Sequence, residues 1–389
     1  MKLFAPFIIG VTLVTLSLCS TIYPNEQTAI YSAPSGFYRP FPSYLYSSSI
    51  RTTVEISSNN LFSFSLITGS TYNADADASK EGIIINYGSF IAADKLYCWG
   101  TTAADRSRLL LLQYDAGNLG LTFKTAITGS DLLSASNYTQ STLCTVFDST
   151  NNIAYVSYLK RYVLSVNTQT GAVQSVFDLT TTLDPTLSSP LTTTCDIDVG
   201  VKTAYFMTSS GTTNNLLVLD ISNPSSMSSK GYISVPGTQF VADTNSHTAI
   251  GYSENLAYMT DGVKLSKLKI ALASSSSAVF VDKRDGSIFF FIPGTVVGPI
   301  SSASFSSGGN AAGVKLPEDV TFPVYHDVVG CAVIARSANT FKTYEIPIVL
   351  NGDQCTGSIG RSSSGASQFA TFIGFIVPGI LALMLLLKI

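Results

Sequence analysis

The chain has 389 residues, of which 46% are hydrophobic and only 12% charged, with a formal net charge of −3. A charged share about half the ordinary one leaves no basic stripe to neutralise phosphates, so nucleic acid is excluded as a partner. Two histidines, His247 and His326, are too few for a multi-histidine metal centre, and no P-loop, GxGxxG, HExxH or GxSxG sequence occurs. No catalytic residue and no cofactor is therefore assigned.

Residues 1–19 carry Lys2, then an apolar run broken by Pro6, and Ser17-Leu18-Cys19 stands before Ser20. This reads as a secretory signal peptide cut before Ser20. A lipoprotein reading with Cys19 acylated is weaker, because bulky Leu18 stands where a small residue belongs. Residues 20–50 are rich in Tyr, Pro and Ser. Part of 26–50 is expected to complete the last sheet of the domain, a loose surface arm being the alternative.

From residue 50 onwards a unit recurs. In Val146-Phe147-Asp148-Ser-Thr-Asn-Asn-Ile153-Ala154-Tyr155, a short apolar strand ends in an acid, turns, and restarts with a small residue and an aromatic. The same spacing follows Asp198 (Ala204-Tyr205), Asp243 (Ala249-Ile250), Asp282 (Ile288-Phe289) and Glu55 (Leu61-Phe62), with looser copies at Asp94 and Asp327. An acid there accepts amide hydrogen bonds in an Asx-type turn that reverses the chain into a second strand. Apolar runs such as Tyr162–Asn167 and Leu216–Asp220 fit a third strand, each closed by a polar turn.

The anchors Glu55, Asp94, Asp148, Asp198, Asp243, Asp282 and Asp327 recur at intervals averaging about 45 residues, the length of one four-stranded blade. This pattern resembles the seven-bladed β-propeller superfamily of the quinoprotein or YVTN kind, over residues 25–350. The resemblance implies an all-β domain, 20–350, of seven four-stranded antiparallel blades. The tryptophan-aspartate repeat is a poor match, since Trp99 is the one tryptophan. A many-stranded sandwich is the competing fold, but it has no reason to repeat this spacing.

Other residues are weighed singly. Asn73, Asp75 and Asp77 alternate oxygen ligands as a calcium loop does, yet Ala78 and Ile84 replace that loop's glycine and bidentate glutamate. Asn137-Tyr138-Thr139 is a glycosylation sequon. The seven acids could ring a cation, although their place in turns already accounts for them. Of the cysteines after the leader, Cys331 and Cys355 are the preferred disulfide, and the odd total leaves at least one thiol in a strand.

Residues 351–368 turn to small polar residues, a stalk, and 369–387 are apolar without a charge before Lys388-Ile389. The run at 369–389 is read as a glycosylphosphatidylinositol (GPI) attachment signal, with Ser362, Ser363 or Gly357 as the attachment site, or else as a single-pass helix. Either places the domain at the cell surface, joined to the membrane by its C-terminal end. The leading expectation is a binding or adhesion protein that presents loops 68–82, 180–194 and 300–320 to an extracellular glycan, matrix or protein partner. A polysaccharide-active hydrolase or lyase and a coat component are the alternatives.

Overall fold

The computed structural model describes residues 20–22, 29–31 and, apart from short internal stretches, 43–350. The expected sites at Asp77, Asn137, Asp327, Cys331, Cys355, Gly357, Ser362 and Ser363 lie outside the described residues, as do 1–19 and 351–389.

The described strands form seven antiparallel sheets, here numbered I to VII in chain order. Sheet III shows the plan: Thr142–Asp148, Ile153–Tyr158, Tyr162–Asn167 and Val173–Asp178 lie side by side in sequence order. Sheet I runs from Ser43–Ser47 to Thr71–Asp75, sheet IV from Leu191–Asp198 to Ser228–Val235, and sheet V from Gln239–Asp243 to Leu265–Lys269. Sheet VI runs from Ala278–Val281 to Gly313–Lys315. Sheet II differs in that Ile83–Ile85 and Phe90–Ala92 both pair with its next strand, Lys95–Thr102.

Sheet VII has three strands of its own, Val320–His326, Ala332–Ser337 and Thr343–Leu350. Two N-terminal segments complete it. Ser20–Ile22 pairs with Leu350 to Ile348, and Ala29–Tyr31 with Glu345 to Thr343. The segment Ser43–Ser47, also within the stretch expected to close the domain, instead opens sheet I.

The hydrophobic pattern explains why the sheets stack. Every residue of Ile153–Tyr158 is buried, although neighbouring side chains on a strand point to opposite faces. Tyr155 packs with Ala204, Phe206 and Leu217 of sheet IV, whereas Ala154, Val156 and Tyr158 pack with Trp99, Leu109 and Leu111 of sheet II. A strand covered on both faces reads as a continuous apolar run rather than as an alternating one. The core is accordingly a succession of layers between I and II, II and III, III and IV, IV and V, and V and VI. Each fully buried large side chain contributes about 1.5–3 kcal/mol.

First strands also touch one another in order. Ser43–Ser47 lies against Phe90–Ala92, that strand against Thr142–Asp148, and so on through sheet VI to Val320–His326, which lies against Ser43–Ser47. A disulfide joins the first strands of sheets III and IV, Cys144 to Cys195, with Cα atoms 6.0 Å apart. This is a different pair from the expected one. Cys98 is a free thiol buried in Lys95–Thr102, and burial pushes it up to about 12.

Candidate functional site

Because strands alternate in direction, the turns after the first and third strands leave one end of each sheet, here the turn end. The turns after the second strand and the connections to the next sheet leave the other, the connection end. The repeated acids belong to the turn end. Asp148 Oδ1 accepts the Thr150 amide at 3.0 Å, and its Oδ2 accepts from Asn151 Nδ2 at 2.7 Å. Asp198 Oδ1 accepts the Gly200 and Val201 amides at 2.9 and 3.4 Å, and Asp243 Oδ1 the Asn245 amide at 2.9 Å.

Four residues after each acid the backbone turns left-handed: Asn152, Lys202, His247 and Gly286 have φ of 56°, 50°, 56° and 72°. That residue lets the next strand start antiparallel, and at Lys202 and His247 the side chain reaches the preceding sheet. Lys202 Nζ lies 3.0 Å from Asp148 Oδ2 across seam III–IV. His247 Nδ1 lies 2.7 Å from Asp198 Oδ2 across seam IV–V. Both carboxylates are buried. Burial opposes ionisation of Asp148, but the bonds from Lys202, Asn151 and Thr150 outweigh it and hold the carboxyl below its usual range.

The aromatic that follows the acid also crosses a seam. Tyr155 Oη donates to the Ile221 carbonyl at 3.4 Å and Tyr205 Oη to the His247 carbonyl at 3.3 Å. Burial raises both phenols above their ordinary value. A second set of turns, led by Asp115, Asn167, Asp220 and Asp261, accepts amides two and three residues on, such as Gly117 and Asn118 onto Asp115 at 2.9 and 3.1 Å. The two sets are tied together: the Thr168 amide donates to the Asn152 carbonyl, and the Ile221 amide to the Lys202 carbonyl. The oxygens of these acids are engaged by the protein's own donors: Asp148 and Asp198 join neighbouring sheets, and Asp243 holds its own turn through Asn245 and Ser246.

One expected anchor needs correction. Glu55 is not a turn residue; it sits inside Thr52–Ile56, the second strand of sheet I, opposite Tyr44 and Phe62. The equivalent of the acid there is Ser47, four residues before left-handed Arg51. Its hydroxyl donates to the Ala93 carbonyl of sheet II at 2.6 Å. Asp94 does sit in a turn, between Phe90–Ala92 and Lys95–Thr102. Asp282 follows the last residue of Ala278–Val281 and is buried. The candidate cation ligands Asn73 and Asp75 lie in a strand, Thr71–Asp75, paired with Phe62 and Asn60. Among the described residues, no group of three or more His, Cys, Asp or Glu is placed to hold a metal ion.

The connection end is built differently. Leu159 and Lys160, with φ of 51° and 59°, are the central residues of the turn between paired Tyr158 and Tyr162, a backbone that favours Asn-Gly. Arg161 beside them makes a two-pronged ion pair with Asp178, Nε–Oδ1 2.8 Å and Nη2–Oδ2 2.6 Å, and lies 4.9 Å over the Tyr162 ring. The Lys160 carbonyl accepts the Leu191 amide at 2.9 Å and the Arg161 carbonyl the Leu179 amide at 3.2 Å. Both ends of the connection 179–190 are therefore fastened to one hairpin. The three segments expected to form a binding surface are not single loops: 68–82 includes the strand Thr71–Asp75, 180–194 the start of Leu191–Asp198, and 300–320 the strand Gly313–Lys315.

Comparison with known proteins fits this geometry. A family model for the LVIVD repeat matches residues 211–234, the third strand of sheet IV through most of its fourth. A chain in a structure described as "Crystal Structure of Mitotic Checkpoint Complex" superimposes with a TM-score of 0.56 at 10% identity, covering 90% of this chain and 98% of that one. The chain of "BamB from Moraxella catarrhalis" gives 0.50 at 13% identity, covering 85% and 99%. The chain of "Structure of Dos1 propeller" gives 0.49 at 10% identity, covering 76% and 75%. Antiparallel sheets whose first strands touch in ring order, with the likenesses at 0.56 and 0.50, make the chain a β-propeller in fold. At these identities the likeness carries the fold alone. No curated protein matches the chain by sequence. Among the described residues of the propeller no helix is long and apolar enough to cross a membrane.

Proposed function

We propose that this chain is a seven-bladed propeller, tethered to the cell surface, that binds an extracellular glycan, matrix component or protein through its connection end. The observation that carries the binding reading is the fastening of connection 179–190 to the Leu159-Lys160 hairpin at both ends. A connection whose two ends are held on a rigid frame is how binding loops are commonly presented. The cyclic order of first-strand contacts favours seven blades. The disulfide across seam III–IV suits passage through an oxidising compartment. The uncharged run 369–387, after a small polar stretch, supports the tether.

The test is to display the full chain on cells and probe them with fluorescent neutral glycans and matrix proteins. Saturable binding that falls when Leu159→Asn and Lys160→Gly are combined supports the reading. That pair keeps the hairpin geometry while removing its exposed side chains. Release of shorter sugars from a polysaccharide would instead support a hydrolase or lyase, and ordered polymers of the purified chain a coat component.

A further inference from the structure

We infer that the tethered molecule stands with its turn end against the anchoring lipid surface and its connection end outward. This rests on the tether proposed above and deepens it. The first and third strands of every sheet run toward the turn end. Thr343–Leu350 is the third strand of sheet VII, so the chain leaves the propeller at that end. Ser20 is paired with Leu350 and sits there too.

At most residues 351–368 separate that end from the membrane, and fewer where the lipid is attached at Gly357, Ser362 or Ser363. Even a random coil of residues 351–368 would span only roughly 20–25 Å on average. Such a tether holds the turn end near the headgroups. The surface at that end suits the position. Val263, at the tip of the turn after the third strand of sheet V, is 73% exposed, and Ile67, Tyr72 and Val201 are the other exposed large apolar side chains at this end.

Ile67 and Tyr72 belong to sheet I, whereas Val201 and Val263 belong to sheets IV and V, across the ring, so one plane can meet both groups. Lys95, Lys202, Lys230 and Lys264 lie among these turns, the first three paired with Asp115, Asp148 and Asp220 and the fourth beside Asp261. Apolar tips among lysines suit the headgroup layer, and the nearby acids leave the tether, rather than charge, to supply the attraction.

Two glycines make a matched pair of probes. Gly69 lies in the turn after the third strand of sheet I and Gly211 after the second strand of sheet IV, and neither has an atom within 4 Å of where a Cβ would stand. A short epitope is inserted at each site in the full chain displayed on cells. Binding of an antibody fragment is compared before and after detergent extraction. The Gly211 epitope should be equally reactive in both states, and the Gly69 epitope several-fold weaker on intact cells.

A second arm needs no insertion. Val263→Trp and Leu159→Trp are each reconstituted in vesicles containing brominated lipid; Trp99 is buried and serves as the background. Quenching is expected for the Val263→Trp chain alone. Equal reactivity of the two epitopes, or equal quenching, on a membrane-bound chain overturns the orientation and leaves the tether standing. Recovery of the chain in the soluble fraction overturns both. A Gly69 epitope masked equally in membrane and detergent points to a second copy covering that end and overturns the lipid contact.

Discussion

Seams III–IV and IV–V use the same turn and the same left-handed position, yet they are held differently. Seam III–IV has the disulfide Cys144–Cys195 and an ion pair from Lys202 to a buried Asp148. Seam IV–V has no such covalent link. There His247 meets Asp198, the Ala242 amide donates to Asp196 Oδ2 at 2.7 Å, and Gly231 faces Gly262 so closely that the two backbones meet. One seam has a covalent bond and a buried ion pair, the other an aspartate–histidine contact, an amide-to-carboxylate hydrogen bond and close backbone packing. The repeat therefore fixes where sheets meet, while the residue four places after the acid is one of several positions that vary what holds them.

Removing the covalent link should have the largest effect. In the chain-entropy account, closing the loop across a sequence separation of 51 is worth about 4 kcal/mol. The Cys144→Ser, Cys195→Ser double variant should lose about 3 kcal/mol in urea unfolding, while Cys98, buried and free, stays unmodified by thiol reagents in the folded state. A loss below about 1 kcal/mol would show that seam III–IV relies on its apolar layer instead.

Seam IV–V should break at its glycines. A Cβ on Gly231 would stand 2.4 Å from the Gly262 carbonyl oxygen, which is backbone and has little room to retreat. Gly231→Ala should cost about 2–3 kcal/mol. The same change at Gly69, where nothing lies within 4 Å, has no such clash, although its φ of +70° still disfavours a side chain. A melting comparison of the two isolates the seam contact from the backbone cost.

How much of this was legible follows from the chemistry of each position. The acids of sheets III to VI announce themselves because an Asx turn puts a fixed distance between carboxylate and next strand. Ser47 does the same work with a hydroxyl, so it carries no acidic mark, and Glu55 imitates the spacing to Phe62 one strand late. The disulfide was missed because pairing depends on which first strands lie side by side. A usable signal was present: Cys144 and Cys195 each stand a few residues before a turn acid, at nearly equivalent places in consecutive units. The alternating oxygens of Asn73 and Asp75 are the pattern of an edge strand as much as of a calcium loop. The partners of the connection end were invisible, because Lys160 and Arg161 act through their carbonyls.

The hairpin at that end offers a change of opposite sign. Leu159 and Lys160 hold left-handed backbone that Asn and Gly adopt more readily. The Leu159→Asn, Lys160→Gly pair should raise stability by about 1 kcal/mol in the same urea assay, even as it reduces partner binding.

A further change separates the ionic share of seam III–IV from its covalent share. Asp148 is held below its usual range in the fold, as are Asp115, Asp220 and Asp261, and Arg161 lowers Asp178 to about 2. A carboxyl with a depressed folded pKa adds stability above its unfolded value, about 3.9, and loses it as pH falls through the folded value. Melting temperature should therefore hold above about pH 5 and decline between about pH 4 and 2. Lys202→Met leaves Asp148 buried without its cation and should cost about 1–2 kcal/mol at neutral pH. As pH falls through the folded value of Asp148 that gap between variant and parent should narrow, since the carboxyl becomes neutral in both; a gap that does not narrow would mean that Lys202 acts by packing its stem rather than by its charge.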